Sequence, residues 1–415
     1  MSSGMITEPA QSLPVDVVCD VAVVGGGIAG VAAALAAARQ GVRVALIEKQ
    51  FGLGGLATLG HVIMYLPLCD GYGRQVMAGL AEELIHLSVA GLQAALPAAG
   101  FLPVPECWKP GGDPGERGRK RFLTEFNPYE FQVHLERVVE RAGIELLYDT
   151  RVCRVLKNRG EISHLVVENK SGRLAVSAAV FVDASGDADL CSYAGCPVEE
   201  FPYNVPAGWF YEIVDERMSL VRFTNMYDRE HRGGGRAVGP FFSGTDHRDV
   251  TRHVLETRKL LLERLEKKRQ ARPEAAIHPF ALPSIPDFRV TRRLRNRFSL
   301  AESYRHRWLE DCIGLTSDWR RRGPVYPLPL RAIQSDDCRN LFAVGRCMSS
   351  DHTVIDVTRA IGTCAVTGEA AGIASALLVK DRIADRHIPL HKLQGLLRKA
   401  GVLLDPELVK PHPRA

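Results

Sequence analysis

The chain lacks the cysteine patterns that mark metal sites and redox disulfides. Its 415 residues include ten cysteines, with no C-x-x-C pair and no such pair followed by two histidines. This excludes the common zinc motifs, and we predict no metal site. Cys191 and Cys196, the closest pair, fit either a redox disulfide or two buried thiols on one helix. Free cysteine is usually buried, which favours the second interpretation.

The chain also lacks a secretory signal and an uninterrupted apolar span. Its N-terminus has no charged stretch followed by an apolar core. The apolar stretch 21–38 contains glycines at 25, 26, 27 and 30, which argues against a transmembrane helix. We therefore predict a cytoplasmic protein without a membrane span, whose cysteines are free thiols.

The chain has little excess charge of either sign, with a net charge of +5. Arginine is concentrated between Arg289 and Arg322. Such a run is most often a solvated helical face, although an anionic substrate also fits it. No nucleic-acid-binding motif accompanies the run, so we predict no nucleic-acid partner.

The clearest positive signal is a β-α-β unit near the N-terminus. Residues 17–24 are apolar and rich in valine, which predicts one fully buried parallel strand. A glycine-rich turn follows, and then an alanine-rich helix that ends at Gly41. Residues 42–47 predict a second strand, closed by Glu48. The unit is complete in about 30 residues, as such units are.

Each glycine of the turn has a physical role in binding a dinucleotide. Gly25 permits a tight turn, Gly27 lets the backbone approach a pyrophosphate, and Gly30 lets helix and strand pack closely. The free amides at the helix start favour anionic phosphates. Glu48 would accept hydrogen bonds from the adenosine ribose hydroxyls. The unit alone does not decide between NAD and FAD.

The remaining elements alternate between helices and strands. The patterns predict helices over 74–96, 129–142, 255–270 and 361–380, strands over 144–148, 151–156, 179–184 and 341–344, and a meander through 161–176. Aromatic residues, arginines and prolines become more frequent between 201 and 324. We interpret that segment as an inserted α+β substrate domain in an α/β protein with a Rossmann-type domain.

Four further segments resemble, in the same order, the large family of FAD-dependent oxidoreductases related to the fumarate reductase and glutathione reductase flavoproteins. They are Gly-Leu-Gly-Gly-Leu-Ala-Thr at 52–58, Phe-Val-Asp-Ala-Ser-Gly-Asp-Ala-Asp at 181–189, Thr-Arg-Arg-Leu at 291–294, and the stretch from 340 through Gly-Arg-Cys-Met at 345–348 to Gly372. They extend over nearly the whole chain. The resemblance implies FAD as the cofactor and a discontinuous, glutathione reductase-like FAD-binding domain.

The resemblance and the composition together predict a division of the chain. The FAD-binding domain would comprise 15–73, 125–200 and 325–385, the substrate or cap domain 74–124 and 201–324, and a C-terminal segment 386–415.

The resemblance also implies the residues that hold the cofactor. Amides at the start of the last long helix would stabilise the negative charge of the reduced flavin, and Val152 would offer its backbone to adenine. The predicted cofactor-binding residues are Gly25, Gly27, Ile28, Ala29, Gly30, Glu48, Lys49, Gly54, Gly55, Leu56, Ala57, Thr58, Val152, Ala184, Ser185, Gly186, Gly345, Arg346, Gly362 and Thr363.

Four residues near the expected flavin ring are candidates for the chemistry. His352 is a candidate base because imidazole titrates near neutral pH, or it is an ordinary surface histidine. Arg359 would hold a substrate carboxylate or the flavin carbonyls, or it forms an ion pair with Asp356. His61 would approach the flavin through its loop, and a covalent flavin link there is conceivable.

The chain departs from the glutathione reductase branch in two respects. It has no cysteine pair in the loop 54–60 and no second G-x-G-x-x-G, which argues against a disulfide reductase with its own NADPH domain.

We therefore expect an enzyme that transfers a hydride to FAD from a small polar substrate such as a sugar, polyol, hydroxy acid or amine. The arginine-rich region favours a carboxylated one. A reductase of carbon–carbon double bonds and a non-catalytic flavin-binding redox sensor remain alternatives. The electron acceptor and the oligomeric state, a homo-oligomer included, stay open.

Overall fold

A computed structural model describes residues 4–91, 106–109, 111–113, 116, 124–224, 240–383 and 387–413. In chain order the strands are β1 Val15–Val18, β2 Val21–Val24, β3 Val44–Ile47, β4 Met64–Tyr65, β5 Thr124–Glu125, β6 Glu145–Leu147, β7 Arg151–Asn158, β8 Glu161–Asn169, β9 Gly172–Ser177, β10 Val180–Asp183, β11 Val198–Glu200, β12 Ala207–Val214, β13 Arg217–Thr224, β14 Ile277–Ala281, β15 Arg292–Leu294, β16 Cys312–Ser317, β17 Val325–Pro329 and β18 Leu341–Ala343. The helices are α1 Ile28–Arg39, α2 Leu80–Ser88, α3 Pro128–Arg141, α4 Asp189–Tyr193, α5 His247–Ala271, α6 Ile355–Thr358, α7 Ile361–Lys380, α8 Leu390–Lys399 and α9 Pro406–Val409.

A five-stranded parallel sheet forms the centre of the protein, in the order β18-β10-β2-β3-β6. Of its three inner strands, β2 and β3 are buried along their whole length, which explains their continuous apolar sequence. Helix α1 connects them. The carboxyl ends of the strands meet at one edge, where ligands bind in sheets of this kind. The predicted α/β class and Rossmann-type fold are confirmed.

The first predicted strand, 17–24, is wrong as a single element. The structure divides it into β1 and β2, which belong to different sheets. β1 joins the four-stranded sheet β1-β9-β8-β7, whereas β2 lies in the central sheet. The break falls at Cys19 and Asp20, where the Asp20 carboxylate accepts a hydrogen bond from the Arg43 backbone at 2.8 Å. This polar contact turns the chain from one sheet to the other.

Helices α1 and α7 pack backbone against backbone. A Cβ added to Gly368 would lie 2.1 Å from the carbonyl oxygen of Ala29, and one added to Gly372 would lie 2.2 Å from that of Ala33. Only glycine permits this approach. The predicted helix 361–380 is confirmed as α7.

Helix α7 is long and apolar enough to cross a membrane by length and composition. In the folded chain, however, 94% of its most apolar window is buried. Here it is a core helix covered by its neighbours in the fold.

A smaller antiparallel sheet, β13-β12-β14, lies under the long helix α5. We call the three strands the cap sheet, and α5 is the helix that covers it. Helix α5 starts eight residues before the predicted 255, because the Asp246 side chain accepts hydrogen bonds from the backbone of Arg248 and Asp249 and caps it. Whether the segment 201–324 is an inserted domain stays a prediction.

The predicted helix 74–96 is shorter in the structure. It begins only at Leu80, because Gly79 has a φ of +65°, which is incompatible with a right-handed α-helix. It ends at Ser88. Residues 92–96 lie outside the described part of the chain. We assign 74–124 to the cap domain by sequence, but α2 packs against α7 and α3 in the main core.

The arginine-rich segment 289–322 is not the solvated helical face that its composition favours. It contains β15, a single 3₁₀ turn and β16. Several of its arginines pair with carboxylates of other segments or of their own turn. These pairs are Arg292 with Asp189 at 2.5 Å, Arg293 with Glu199 at 2.8 Å, and Arg320 with Asp318 at 2.8 Å.

The cysteines behave mostly as expected. All ten are free, and both Cys191 and Cys196 are buried, which confirms the thiol interpretation. Only Cys191 lies on a helix, however, since α4 ends at Tyr193. Within the described ranges, no three histidine, cysteine, aspartate or glutamate side chains are grouped to hold a metal ion.

One carboxyl group is buried in the core. Glu369, in the middle of α7, accepts a hydrogen bond from the Leu80 backbone at 2.9 Å and so caps α2. Burial raises its pKa from 4.5 to about 8. In the unfolded chain the group ionises near its ordinary pKa, so its contribution to stability is complete below pH 4.5 and is lost as the pH rises to about 8.

We expect Glu369→Gln to raise the free energy of unfolding at pH 8 by on the order of 2 kcal/mol, because glutamine keeps the acceptor and needs no proton. It should also flatten the dependence of stability on pH between about 4.5 and 8. Urea unfolding of the FAD-loaded protein across that pH range measures both effects. An unchanged pH slope in the variant would show that Glu369 is ionised in the folded state.

Candidate active site

The glycine-rich turn after β2 has the geometry that its spacing predicts. Gly25 has a φ of +104°, and a Cβ on it would lie 2.4 Å from the carbonyl oxygen of Ala184. A Cβ on Gly30 would lie 1.8 Å from the carbonyl oxygen of Gly25. Side chains at either position would force the turn, the helix and the neighbouring strand apart.

Gly27 differs from both, since a Cβ on it would meet no atom within 4 Å. It caps α1 with an ordinary φ of −67°. Open space therefore lies directly in front of the free amides at the start of the helix. Ile28 and Ala29, in the first turn, are buried and offer only backbone. This space fits the diphosphate of a dinucleotide.

Glu48 lies at the end of β3 and is buried. One carboxylate oxygen accepts a hydrogen bond from the Gly26 backbone at 2.6 Å, and the other accepts one from the Gln50 backbone at 2.8 Å. Glu48 thus holds the glycine turn in place. Each carboxylate oxygen has a second lone pair, which leaves capacity for a ribose hydroxyl. The neighbouring Lys49 lies 3.8 Å from the carboxylates of Asp187 and Asp189.

The loop predicted to run along the flavin packs against this turn. The Gly54 backbone donates to the Gly26 carbonyl at 2.8 Å. Gly54 and Gly55 have φ values of +103° and +57°, so the loop requires glycine at both positions. Gly55, Leu56 and Ala57 then form a 3₁₀ turn. The Thr58 hydroxyl closes the turn by donating to the Leu53 carbonyl at 2.5 Å.

Two further loops meet at the same edge of the sheet. Ala184, Ser185 and Gly186 follow β10, and Gly345 follows β18. A Cβ on Gly186 would lie 2.6 Å from the guanidinium of Arg346. We predict that Arg346 faces the flavin, but its guanidinium contacts the Asp187 carboxylate at 3.4 Å and the Phe288 carbonyl.

The start of α7 offers its backbone amides and not its side chains. The Thr363 hydroxyl is buried and lies 2.7 Å from the Thr316 hydroxyl and 2.9 Å from the Val357 carbonyl. Gly362 packs closely, since a Cβ there would lie 3.0 Å from Leu68. Val152, expected near adenine, is buried on β7.

Of the four candidate catalytic residues, one is exposed to solvent and two form an ion pair with each other. His352 is exposed. Arg359 pairs with Asp356 at 2.8 Å, and Asp356 is also 3.6 Å from Arg320. The geometry therefore matches the ion-pair alternative for Arg359.

The fourth candidate, His61, lies in a cluster of aromatic side chains. It is 2% exposed, and its backbone has a φ of +56°. Its Nε2 lies 3.2 Å from the Tyr129 hydroxyl, and its ring contacts that of Tyr211 edge-on at 5.4 Å. Burial lowers the pKa of His61, an effect that the nearby Trp209 backbone partly offsets.

Two polar atoms of this cluster have no hydrogen-bond partner in the described part of the chain. They are Nδ1 of His61 and the hydroxyl of Tyr211, and both are buried. Buried polar atoms are almost always hydrogen-bonded. An unpaired ring nitrogen and an unpaired hydroxyl in one cluster therefore fit a ligand with polar groups.

Sequence reasoning missed Tyr129 and Tyr211, and also Arg222. Arg222 pairs with Trp209 across β12 and β13, lies over its ring at 4.9 Å, and contacts Glu125. Directly opposed residues share a face of the sheet, so Arg222 is on the same side as Tyr211. The three consecutive aromatic residues of β12, Trp209 to Tyr211, are the sequence signal that could have drawn attention to this strand.

Comparison with known proteins gives one match to a protein family. The profile described as FAD dependent oxidoreductase matches residues 20–200 and 313–397, more than half of the chain. The two matched ranges contain the glycine turn, the loop 52–58 and the start of α7. They leave out β12, β13 and α5.

One curated relative and several solved structures are similar to parts of the chain. Thioredoxin reductase from Ureaplasma parvum is 36% identical over 73 residues, which are 18% of this chain and 24% of that protein. A geranylgeranyl bacteriochlorophyll reductase-like protein from Thermoplasma acidophilum has a TM-score of 0.43 and 14% identity, covering 94% of this chain and 90% of its own. A myxobacterial chondrochloren halogenase has a TM-score of 0.44 and 15% identity, and the match covers 92% of this chain and 79% of the halogenase. Similarity at these scores carries no information on the reaction of this chain.

We expect Gly27→Ala to fold normally but to lower the affinity for FAD by about 10–100-fold, because its methyl group enters the open space at the start of α1. Gly30→Ala should instead destabilise the fold by about 2–3 kcal/mol, because its methyl group meets the Gly25 carbonyl. FAD titration and thermal unfolding separate the two effects.

Gly395→Ala is the matched control, since that glycine lies within α8 and a Cβ there meets no atom within 4 Å. It should leave FAD affinity unchanged. Equal FAD affinities for Gly27→Ala and Gly395→Ala would place the cofactor elsewhere.

Proposed function

Since the chain belongs to the FAD dependent oxidoreductase family and FAD is its cofactor, we propose that it oxidises a C–H bond of a small polar substrate, with His61 as the base. FAD, when bound, supplies an acceptor for the hydride that leaves carbon. The observation that carries the proposal is the buried His61 with an unpaired Nδ1 on the loop that packs against the glycine turn.

The residues of the strand ends hold the cofactor. The turn at Gly25–Gly30 and the amides of α1 receive the diphosphate, and Glu48 orients the adenosine side. The loop of Gly54 and Gly55 passes between this turn and His61. Because that loop is short and constrained, it sets where the His61 ring stands relative to the cofactor.

His61 is suited to accept a proton. Burial lowers its pKa, so the imidazole is neutral at pH 7. When Nε2–H donates to the Tyr129 hydroxyl, Nδ1 is left with a lone pair. A substrate hydroxyl or amine gives its proton to this nitrogen as the neighbouring C–H bond breaks, which leaves a carbonyl or imine product.

The cap sheet supplies the groups that orient the substrate. The Tyr211 hydroxyl, which has no partner among the described residues, bonds the substrate beside His61. Arg222 on the same face is a cation that could hold a substrate carboxylate, and its contact with Glu125 keeps it in position. These groups favour a hydroxy acid or amino acid over a neutral polyol.

We assign the base to His61 and not to His352. A catalytic base that is shielded from water must be buried against its substrate, whereas His352 is exposed. Arg359 is engaged by Asp356 and is assigned a positioning role in the loop before α7.

Substrates are to be found by adding hydroxy acids, amino acids and polyols to the FAD-loaded protein without oxygen and recording the visible flavin band. We expect bleaching with a carboxylated alcohol or amine. Bleaching only by NADH or NADPH, with reoxidation by an unsaturated acid, would contradict the proposed direction and favour the reduction of a double bond.

With such a substrate, we expect His61→Gln to lower kcat by about 10²–10⁴-fold while FAD stays bound, because a general base contributes about that much. In the unaltered enzyme kcat/KM should fall on the acidic side at a pH below 6.5, because the neutral imidazole is required and its pKa is lowered. The variant should lose this acidic limb. Steady-state kinetics from pH 4 to pH 9 measure both (a range of about two units either side of the ordinary histidine pKa).

His278→Gln is the control, since His278 is exposed on β14 of the same cap sheet. It should retain the kinetics of the unaltered enzyme. Loss of the acidic limb in His352→Gln instead of His61→Gln would assign the base to His352.

A further inference from the structure

A second group of buried, unpaired polar atoms lies on the other face of the cap sheet. Phe210 and Tyr211 are neighbours on β12, so their side chains point to opposite faces. Tyr211 contacts His61, whereas Phe210 packs with Leu261 and Leu265 of α5. A cavity of about 90 Å³ lies on the Phe210 side, between β12, α5 and the loop 282–287.

The walls of this cavity are mainly apolar. β12 contributes Ala207 and Phe210, α5 contributes Val254 and Leu261, and the loop contributes Leu282 and Ile285. Arg258 of α5 and Asp287 of the loop also line the cavity, one charge of each sign, so the lining carries no net charge that would hold an ion, and a neutral ligand fits it better.

Besides Arg258, two polar side chains of α5 line the cavity. The Nδ1 of His253 and the hydroxyl of Thr257 are both buried, and neither has a hydrogen-bond partner among the described residues. The two residues are four apart on one helix, so they lie on the same face with Cβ atoms about 5–6 Å apart. One small group can therefore reach both.

The geometry fixes which atom of His253 is unprotonated. Its Nε2 lies 3.2 Å from the Val205 carbonyl, which can only accept a hydrogen bond. Nε2 therefore carries the proton, and Nδ1 of the neutral ring is an acceptor. Stacking on Phe288, with ring centres 4.2 Å apart, holds the ring in this orientation.

Thr257 is free to act as the complementary donor. A helical threonine often bonds the carbonyl four residues earlier, as Thr251 does to His247 at 2.9 Å. Thr257 makes no such bond within the described chain. Among the described residues, the cavity thus presents one unpaired acceptor and one unpaired donor between mainly apolar walls, and a hydroxyl group satisfies both at once.

We propose that this cavity is a second binding site, separate from the one at His61, for a small neutral alcohol or phenol. Its hydroxyl donates to Nδ1 of His253 and accepts from Thr257, and its hydrocarbon body contacts Phe210 and Leu261. The site does not depend on the reaction proposed for His61, since the two lie on opposite faces of β12.

The test is calorimetric titration of the FAD-loaded full chain with phenol, cyclohexanol and toluene. Phenol or cyclohexanol should bind. Thr257→Val keeps the volume of the side chain and removes its hydroxyl, so it should lower the ratio of phenol affinity to toluene affinity by about tenfold, as expected for one lost hydrogen bond. Ile285→Trp should weaken all three ligands by filling the cavity.

Tyr211→Phe is the matched control, since it removes a hydroxyl from the opposite face of β12 and should leave phenol affinity unchanged. The visible flavin spectrum should also stay unchanged on addition of phenol. Failure of both alcohols to bind, an unaltered affinity ratio in Thr257→Val, or a new flavin absorption band with phenol would each overturn the proposal. None of these outcomes bears on His61, whose variants are judged by turnover.

Discussion

The direct contact between helices α1 and α7 is the constraint on which the rest of the structure depends. Gly368 and Gly372 let the backbone of α7 touch that of α1, with no side chain between them. A Cβ on Gly345 would lie 2.9 Å from that of Ala29, so the loop after β18 is drawn into the same contact. Two helix N-termini are thereby brought to one edge of the central sheet. A dinucleotide with a negatively charged diphosphate and a flavin that gains negative charge on reduction needs both.

Buried carboxylates keep the loops at this edge in shape. Glu48 bonds the glycine turn through Gly26, and Asp183 at the end of β10 accepts bonds from the backbone of Ser185 and Cys191. In each case an acid at a strand end replaces the hydrogen bonds that a turn cannot make for itself. The loops can therefore hold their conformation by contacts within the protein, so that a ligand binding at this edge would meet a surface that is already formed.

The two faces of strand β12 in the cap sheet border two different sites. Alternation along β12 sends Tyr211 towards His61 and Phe210 towards α5. One face closes a polar aromatic cluster that contains His61, and the other closes a mainly apolar cavity with a donor and an acceptor. The matched family ranges, 20–200 and 313–397, leave this sheet out. The part of the chain that the family shares thus contains the glycine turn and His61, while the part that it does not share carries Tyr211, Arg222 and the cavity under α5.

The sequence by itself determined the β-α-β unit, the glycine-rich turn and the extent of α7, because these signals come from neighbouring residues: a valine run, a turn, a small-residue helix. The family and FAD followed from the resemblance of several segments spread along the chain. The tertiary structure alone decided the break at Asp20, whose partner is the backbone of Arg43, and the pairing of the arginines at 292, 293 and 320. It also assembled His61 with Tyr129, 68 residues further along the chain, and with Tyr211 on another sheet. Contacts between distant segments leave no periodic trace in sequence, since each partner alone looks like an ordinary polar or aromatic residue.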